Sequence, residues 1–122
     1  METVKKMTQE GKGILAADES HPTLKKKFDT NTIENTEENR IDYRHLLFTT
    51  PDLEKYISGV ILYSETFEQK KDNKLLIDNL KEKDIVLGIK LDLGSEPLME
   101  GSIEKYTKGL DDLEERASCF YK

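Results

Sequence analysis

Three apolar runs, each closed by polar or charged residues, constrain this chain more than any other feature. Gly13-Ile-Leu-Ala-Ala17 ends in the acid pair Asp18-Glu19, Ile57-Ser-Gly-Val-Ile-Leu-Tyr63 ends in Ser64-Glu65, and Ile85-Val-Leu-Gly-Ile89 ends in Lys90. The runs are short and nearly continuous, as strands covered on both faces are, and Ile57 to Tyr63 is β-branched and aromatic. A polar, turn-rich stretch after Ser20 leads to Asn35-Thr-Glu-Glu38, which reads as a helix start with Thr36 as cap and two acids in the first turn. Tyr43, Leu46 and Leu47 supply its apolar stripe, and Thr50-Pro51-Asp52 stops it. Asp72-Asn73 reads as the cap of a second helix carrying Leu76, Ile77 and Leu80. From Thr107 onward, Leu110, Leu113, Ala117 and Phe120 recur at helical spacing. Strand, helix, strand, helix, strand, helix is the pattern of parallel βα units in an α/β fold. In such folds the site is built at the C-terminal ends of the strands, where Asp18, Ser64-Glu65 and Lys90 fall.

Length and charge exclude several classes. At 122 residues the chain allows one domain, spanning 1–122. It carries 19 Lys+Arg against 25 Asp+Glu, a formal charge of −6, which argues against a nucleic-acid partner. No apolar stretch is long enough to cross a membrane, and Met1 to Gly11 has no apolar signal region. The single cysteine, Cys119, cannot form an internal disulfide, which fits a reducing compartment, and its place beside the last apolar stripe suggests a partly buried thiol. No Cys/His cluster suggests a metal site, and no glycine-rich phosphate loop suggests a nucleotide cofactor. His21 and His45 have no evident partner and read as surface or helix-packing residues. Lys25-Lys26-Lys27 is a charge run of the kind that is usually solvated.

The strings themselves are recognisable. Gly11-Lys-Gly-Ile-Leu-Ala-Ala-Asp-Glu-Ser20, Glu34-Asn-Thr-Glu-Glu-Asn-Arg40, Leu46-Leu-Phe-Thr-Thr50, Gly59-Val-Ile-Leu62 with Glu65-Thr66, Gly88-Ile-Lys-Leu-Asp92, and Gly109-Leu-Asp111 with Leu113, Glu115 and Arg116 follow one another in order. Together they resemble the N-terminal portion of class I fructose-bisphosphate aldolase, from about Lys12 to Lys122. The resemblance implies the first three βα units of a TIM (β/α)8 barrel with parallel strands. It implies a cytoplasmic glycolytic lyase that cleaves fructose bisphosphate to dihydroxyacetone phosphate and glyceraldehyde 3-phosphate through a lysine Schiff base, without a cofactor or metal, usually as a homo-oligomer.

By the same resemblance, Asp18 handles the proton of the substrate C4 hydroxyl, Ser20 and Thr23 help hold a phosphate, Lys26 and Lys27 form a basic pair near it, and Lys90 contacts substrate. The residue types suit the chemistry. A carboxylate can take a hydroxyl proton, an iminium is an electron sink, and lysines supply point charges to phosphates. The expectation is that Asp18 and Lys90, on neighbouring parallel strands, face one sugar-phosphate pocket.

The chain also departs from the family pattern. Leu93 stands where a lysine is usual, and Lys27 where arginine is usual, which loses a bidentate fork. Gly94 to Gly101 is more acidic than the family's turn, Leu98 to Lys108 matches poorly, and only Thr3 to Glu10 remains of the N-terminal helix. A full barrel needs about 200 or more residues, and the family's Schiff-base lysine lies on later strands. The alternative is therefore a non-catalytic truncated paralogue that binds sugar phosphate or associates with full-length aldolase subunits.

Overall fold

The apolar runs form the strands expected of them. A computed structural model describes residues 2–121; Lys122, the far end of the resemblance, lies outside the described residues. The chain divides into two compact units, the second beginning at Lys90. In order, the first unit contains α1 (Glu2–Met7), β1 (Gly13–Ala17), α2 (His21–Asp29), α3 (Glu37–Phe48), α4 (Leu53–Tyr56), β2 (Ile57–Leu62), a 3-10 turn (Ser64–Phe67), β3 (Lys70–Lys71), β4 (Lys74–Leu75), α5 (Asp78–Lys81) and β5 (Val86–Ile89). The second contains β6 (Ser95–Pro97), β7 (Lys105–Thr107) and α6 (Leu113–Ser118).

β1, β2 and β5 form a parallel sheet in the order β1-β2-β5. Ala17 pairs with Leu62, and Leu62 with Ile89, so the three strands end together. β1 and β5 are each neighbours of β2 and not of one another, which corrects the expectation that Asp18 and Lys90 follow adjacent strands. The core gathers Ala17, Val60 and Leu62 from the sheet with Phe48, Leu53, Leu76, Ile77, Leu80 and Ile85 around it. At the start of β2, the Ser58 hydroxyl donates to the Met7 carbonyl at 2.6 Å. Met7 also packs over Gly59, where a Cβ would stand 3.2 Å from its Cε.

Thr36 caps α3 as expected, its hydroxyl accepting from the Asn39 N–H at 3.1 Å. The inner stripe differs. α3 buries Arg40, Arg44 and Phe48, a row four residues apart, whereas Leu46 is 69% exposed. The turn-rich stretch after Ser20 is helical instead: Pro22 occupies its first turn, where a missing N–H costs nothing, and Leu24 and Phe28 anchor it. Asp72 and Asn73 cap no helix. They are the two-residue turn of the β3–β4 hairpin, with φ of 52° and 63°, the left-handed pair such a turn needs. The helix that follows is only one turn long, over Asp78–Lys81.

In the second unit, residues 95–107 form an antiparallel hairpin that the acidic, poorly matching stretch did not suggest. Glu96 accepts from Lys108 Nζ at 2.5 Å across its base. Arg116 donates to the carbonyls of Leu91 and Gly109 and to Asp112, tying the ends of the unit together. The apolar spacing from Leu110 to Phe120 yields only a six-residue helix with no buried residue, and Cys119 is exposed rather than partly buried.

The burial pattern of α3 predicts unequal costs for two apolar substitutions. Phe48→Ala opens a cavity in the core and costs about 3–5 kcal/mol. Leu46→Ser stays within about 0.5 kcal/mol. Thermal unfolding followed by circular dichroism separates them, and equal melting temperatures would refute the assignment of the inner row.

Candidate active site

The exits of β1 and β2 carry the polar residues that the sequence marks. Asp18 leaves β1 one residue after Ala17 and is half-buried, and its carboxylate meets no hydrogen-bond or ion-pair partner among the described residues. Ser20 sits at the cap position of α2 but does not cap it; its hydroxyl lies 3.1 Å from the Thr23 hydroxyl. The two hydroxyls expected to hold a phosphate thus form a pair on the first turn of α2.

The lysine run divides in three. Lys25 is bound to Asp29 one turn on, at 2.7 Å. Lys26 is exposed and has no ion pair among the described residues. Lys27 reaches back to Glu19 at 2.5 Å and donates to the Tyr43 hydroxyl at 2.7 Å. Tyr43 in turn donates to Glu19 at 3.0 Å. Burial works to raise the Glu19 pKa, but the hydrogen bonds of Lys27 and Tyr43 outweigh it and hold it low. The same contact with Glu19, then with Tyr43, raises the Lys27 pKa.

At the β2 exit, Glu65 occupies a cluster that sequence reasoning missed. Arg40 Nη2 donates to one carboxylate oxygen at 2.6 Å and Arg44 Nη1 to the other at 2.5 Å. His21 Nε2 lies 3.1 Å from Oε1 and its ring meets Tyr63 edge-on, so His21 is not partnerless. Arg44 is 1% exposed and also donates to Gln69 Oε1 at 2.7 Å. Its Nη2 donates to the Glu19 carbonyl at 3.4 Å. Burial would raise the Glu65 pKa, but hydrogen bonds from Arg40 and then Arg44 lower it to about 2. The available signal was the spacing of Arg40 and Arg44 in register with Phe48.

Lys90, the residue after β5, belongs to the second unit. Its ammonium is paired with Asp92, whose other oxygen accepts from the Gly94 N–H at 2.9 Å. The Lys90 contact is the chief cause of a lowered Asp92 pKa.

Glu65 makes stability depend on pH. Its carboxylate titrates near 2 when folded against an ordinary 4.5, so its contribution is complete above roughly pH 5.5 and drains away as pH falls toward 2. Glu65→Gln removes that dependence and leaves two buried guanidiniums without a counter-charge, costing about 3–5 kcal/mol at neutral pH. Melting temperatures measured from pH 7 to pH 3 check this: the parent's advantage over the variant shrinks as the solution is acidified, and a constant advantage would refute it.

Among the described residues, no helix is long and apolar enough to cross a membrane. The family model described as "Glycolytic: Fructose-bisphosphate aldolase class-I" matches residues 1–122. Fructose-bisphosphate aldolase 2 of Caenorhabditis elegans is 55% identical over 118 residues, which is 96% of this chain and 32% of the relative. Fructose-bisphosphate aldolase 1 of Toxoplasma gondii is 50% identical over 99% of this chain and 34% of its own. A chloroplastic aldolase of Arabidopsis thaliana is 45% identical over 100% of this chain and 32% of its own. A solved structure of the Plasmodium falciparum aldolase, in complex with TRAP and a small-molecule inhibitor, superimposes with a TM-score of 0.94 at 48% identity, covering 98% of this chain and 35% of that one. The chain thus spans about a third of the relatives it matches. On sequence and on fold together, this chain belongs to the class I fructose-bisphosphate aldolase family.

Proposed function

We propose that these residues form one wall of the substrate site of a Schiff-base aldolase acting on fructose bisphosphate in the cytoplasm. The observation that carries the reading is the β1 exit, where a half-buried carboxylate with no partner among the described residues, Asp18, lies two residues before the Ser20–Thr23 hydroxyl pair. Asp18 takes the proton of the C4 hydroxyl as the C3–C4 bond breaks, since a carboxylate that makes no internal ion pair is available as a base. Ser20 and Thr23 offer hydroxyls, and Lys26 and Lys27 offer charge, to one phosphate. In the second unit, taken by itself, Lys90 is the residue that offers charge to substrate, and its pairing with Asp92 keeps the ammonium oriented. The iminium that accepts the electrons of the breaking bond is assigned to no lysine of this chain; turnover belongs to the whole protein, as does assembly into homo-oligomers or with other aldolase subunits.

Incubation of the chain with dihydroxyacetone phosphate and borohydride, followed by mass measurement, tests the division of labour. The expected result is no stoichiometric adduct. Titration with fructose bisphosphate is expected to show weak binding that the double variant Lys26→Met/Lys27→Met weakens by about tenfold. An adduct at one lysine per chain would overturn the assignment of the electron sink, and binding indifferent to both lysines would overturn the phosphate subsite.

A further inference from the structure

We propose that Glu19 is a built-in competitor for the anion that Lys27 receives, and that Tyr43 is the positioning residue that pins it there. The proposal rests on the phosphate reading of Ser20, Thr23, Lys26 and Lys27 and extends it to a residue that sets the strength of that subsite.

Three observations support it. Lys27 is the one lysine of the run that turns back toward the β1 exit, and there its ammonium is met by Glu19 at 2.5 Å. The Glu19 side chain is 17% exposed and that of Lys27 46%, so the carboxylate sits inward and the ammonium outward, within reach of a ligand. The pair is also held from behind. The Tyr43 hydroxyl donates to Glu19 and accepts from Lys27, while the Tyr43 ring packs edge-on against the buried Phe28, with centroids 5.8 Å apart.

The consequence is electrostatic. A phosphate approaching Lys27 meets a pair whose net charge is already zero, and it meets it beside a carboxylate. It must displace Glu19 from the ammonium or share the ammonium with it, and in both cases the like charges repel. Lys26 and the two hydroxyls have no carboxylate partner among the described residues and supply the attraction that remains. Glu19 thus keeps the subsite weak, and when a phosphate leaves, the carboxylate returns to the ammonium and leaves no bare charge behind. Tyr43 makes that return the resting arrangement, because it binds both partners in one geometry.

Inorganic phosphate is the probe, titrated against the chain and followed by nuclear magnetic resonance shifts of the α2 amides. Glu19→Gln removes the competing charge at nearly constant volume and is expected to tighten phosphate binding about tenfold. Tyr43→Phe keeps the ring packing and frees the pair, and is expected to tighten it about threefold in the parent but not in the Glu19→Gln background. A residue with only a structural role would weaken binding or leave it unchanged. Equal phosphate affinity in parent and Glu19→Gln, with binding abolished by Lys27→Met, would overturn the competitor while leaving the phosphate subsite intact. Absence of phosphate binding in parent and both variants would overturn the subsite itself, and the competitor with it.

Discussion

One carboxylate ties together the strand exits of the first unit. Glu65, in the turn that follows β2, receives two guanidiniums from α3 and an imidazole from the start of α2. Arg44 then extends to the backbone of Glu19 at the exit of β1. α3 is thereby tied to the exits of both β1 and β2. Such a cluster is a poor source of net stability, because taking three charges out of water costs nearly as much as pairing them returns. What it supplies is geometry. Arg44 Nη1 donates to both Glu65 and Gln69 Oε1, and that shared contact ties α3 to the turn that follows β2.

The strands and the α3 cap were legible because their signals are local. Gly13–Ala17, Ile57–Leu62 and Val86–Ile89 are short apolar runs of strand length, although Gly13–Ala17 is buried only at Ala17, and Thr36 followed by two acids is a helix start by composition alone. The inner face of α3 was not legible, because the reading looked for apolar residues and the helix buries arginines. Leu46 is apolar and outward; Arg44 is charged and inward, since its partner lies 21 residues away at Glu65. Asp72-Asn73 failed for a related reason. The same residue types cap helices and accept left-handed φ, and the choice was made by β3 and β4 on either side, which are two residues long and carry almost no pattern.

The site was legible in residue type and not in pairing. Asp18 and Glu19 are adjacent acids at the end of one strand, and composition cannot tell them apart. Both lie just beyond β1. Asp18 has no hydrogen-bond or ion-pair partner among the described residues, whereas Glu19 meets Tyr43 and Lys27. In the same way the run Lys25-Lys26-Lys27 looks uniform, yet helix geometry gives its members three different fates within one turn: a local pair with Asp29, open solvent, and a long reach to Glu19.

These pairings bear on how a chain of formal charge −6 could attract a doubly phosphorylated sugar. At long range the net field repels such a ligand, so the attraction must be local and act within a Debye length of roughly 8–10 Å. Yet Lys27, on which the proposed phosphate subsite draws, already carries an internal carboxylate. On that proposal its charge is held in reserve rather than displayed, and a ligand exchanges places with an intramolecular anion to use it. Binding by exchange costs affinity but preserves orientation, because an ammonium held by a fixed carboxylate does not have to be found among its rotamers. A site built this way favours ligands that engage several groups at once over single free anions, since only the former gather enough contacts to outweigh the displaced pairs.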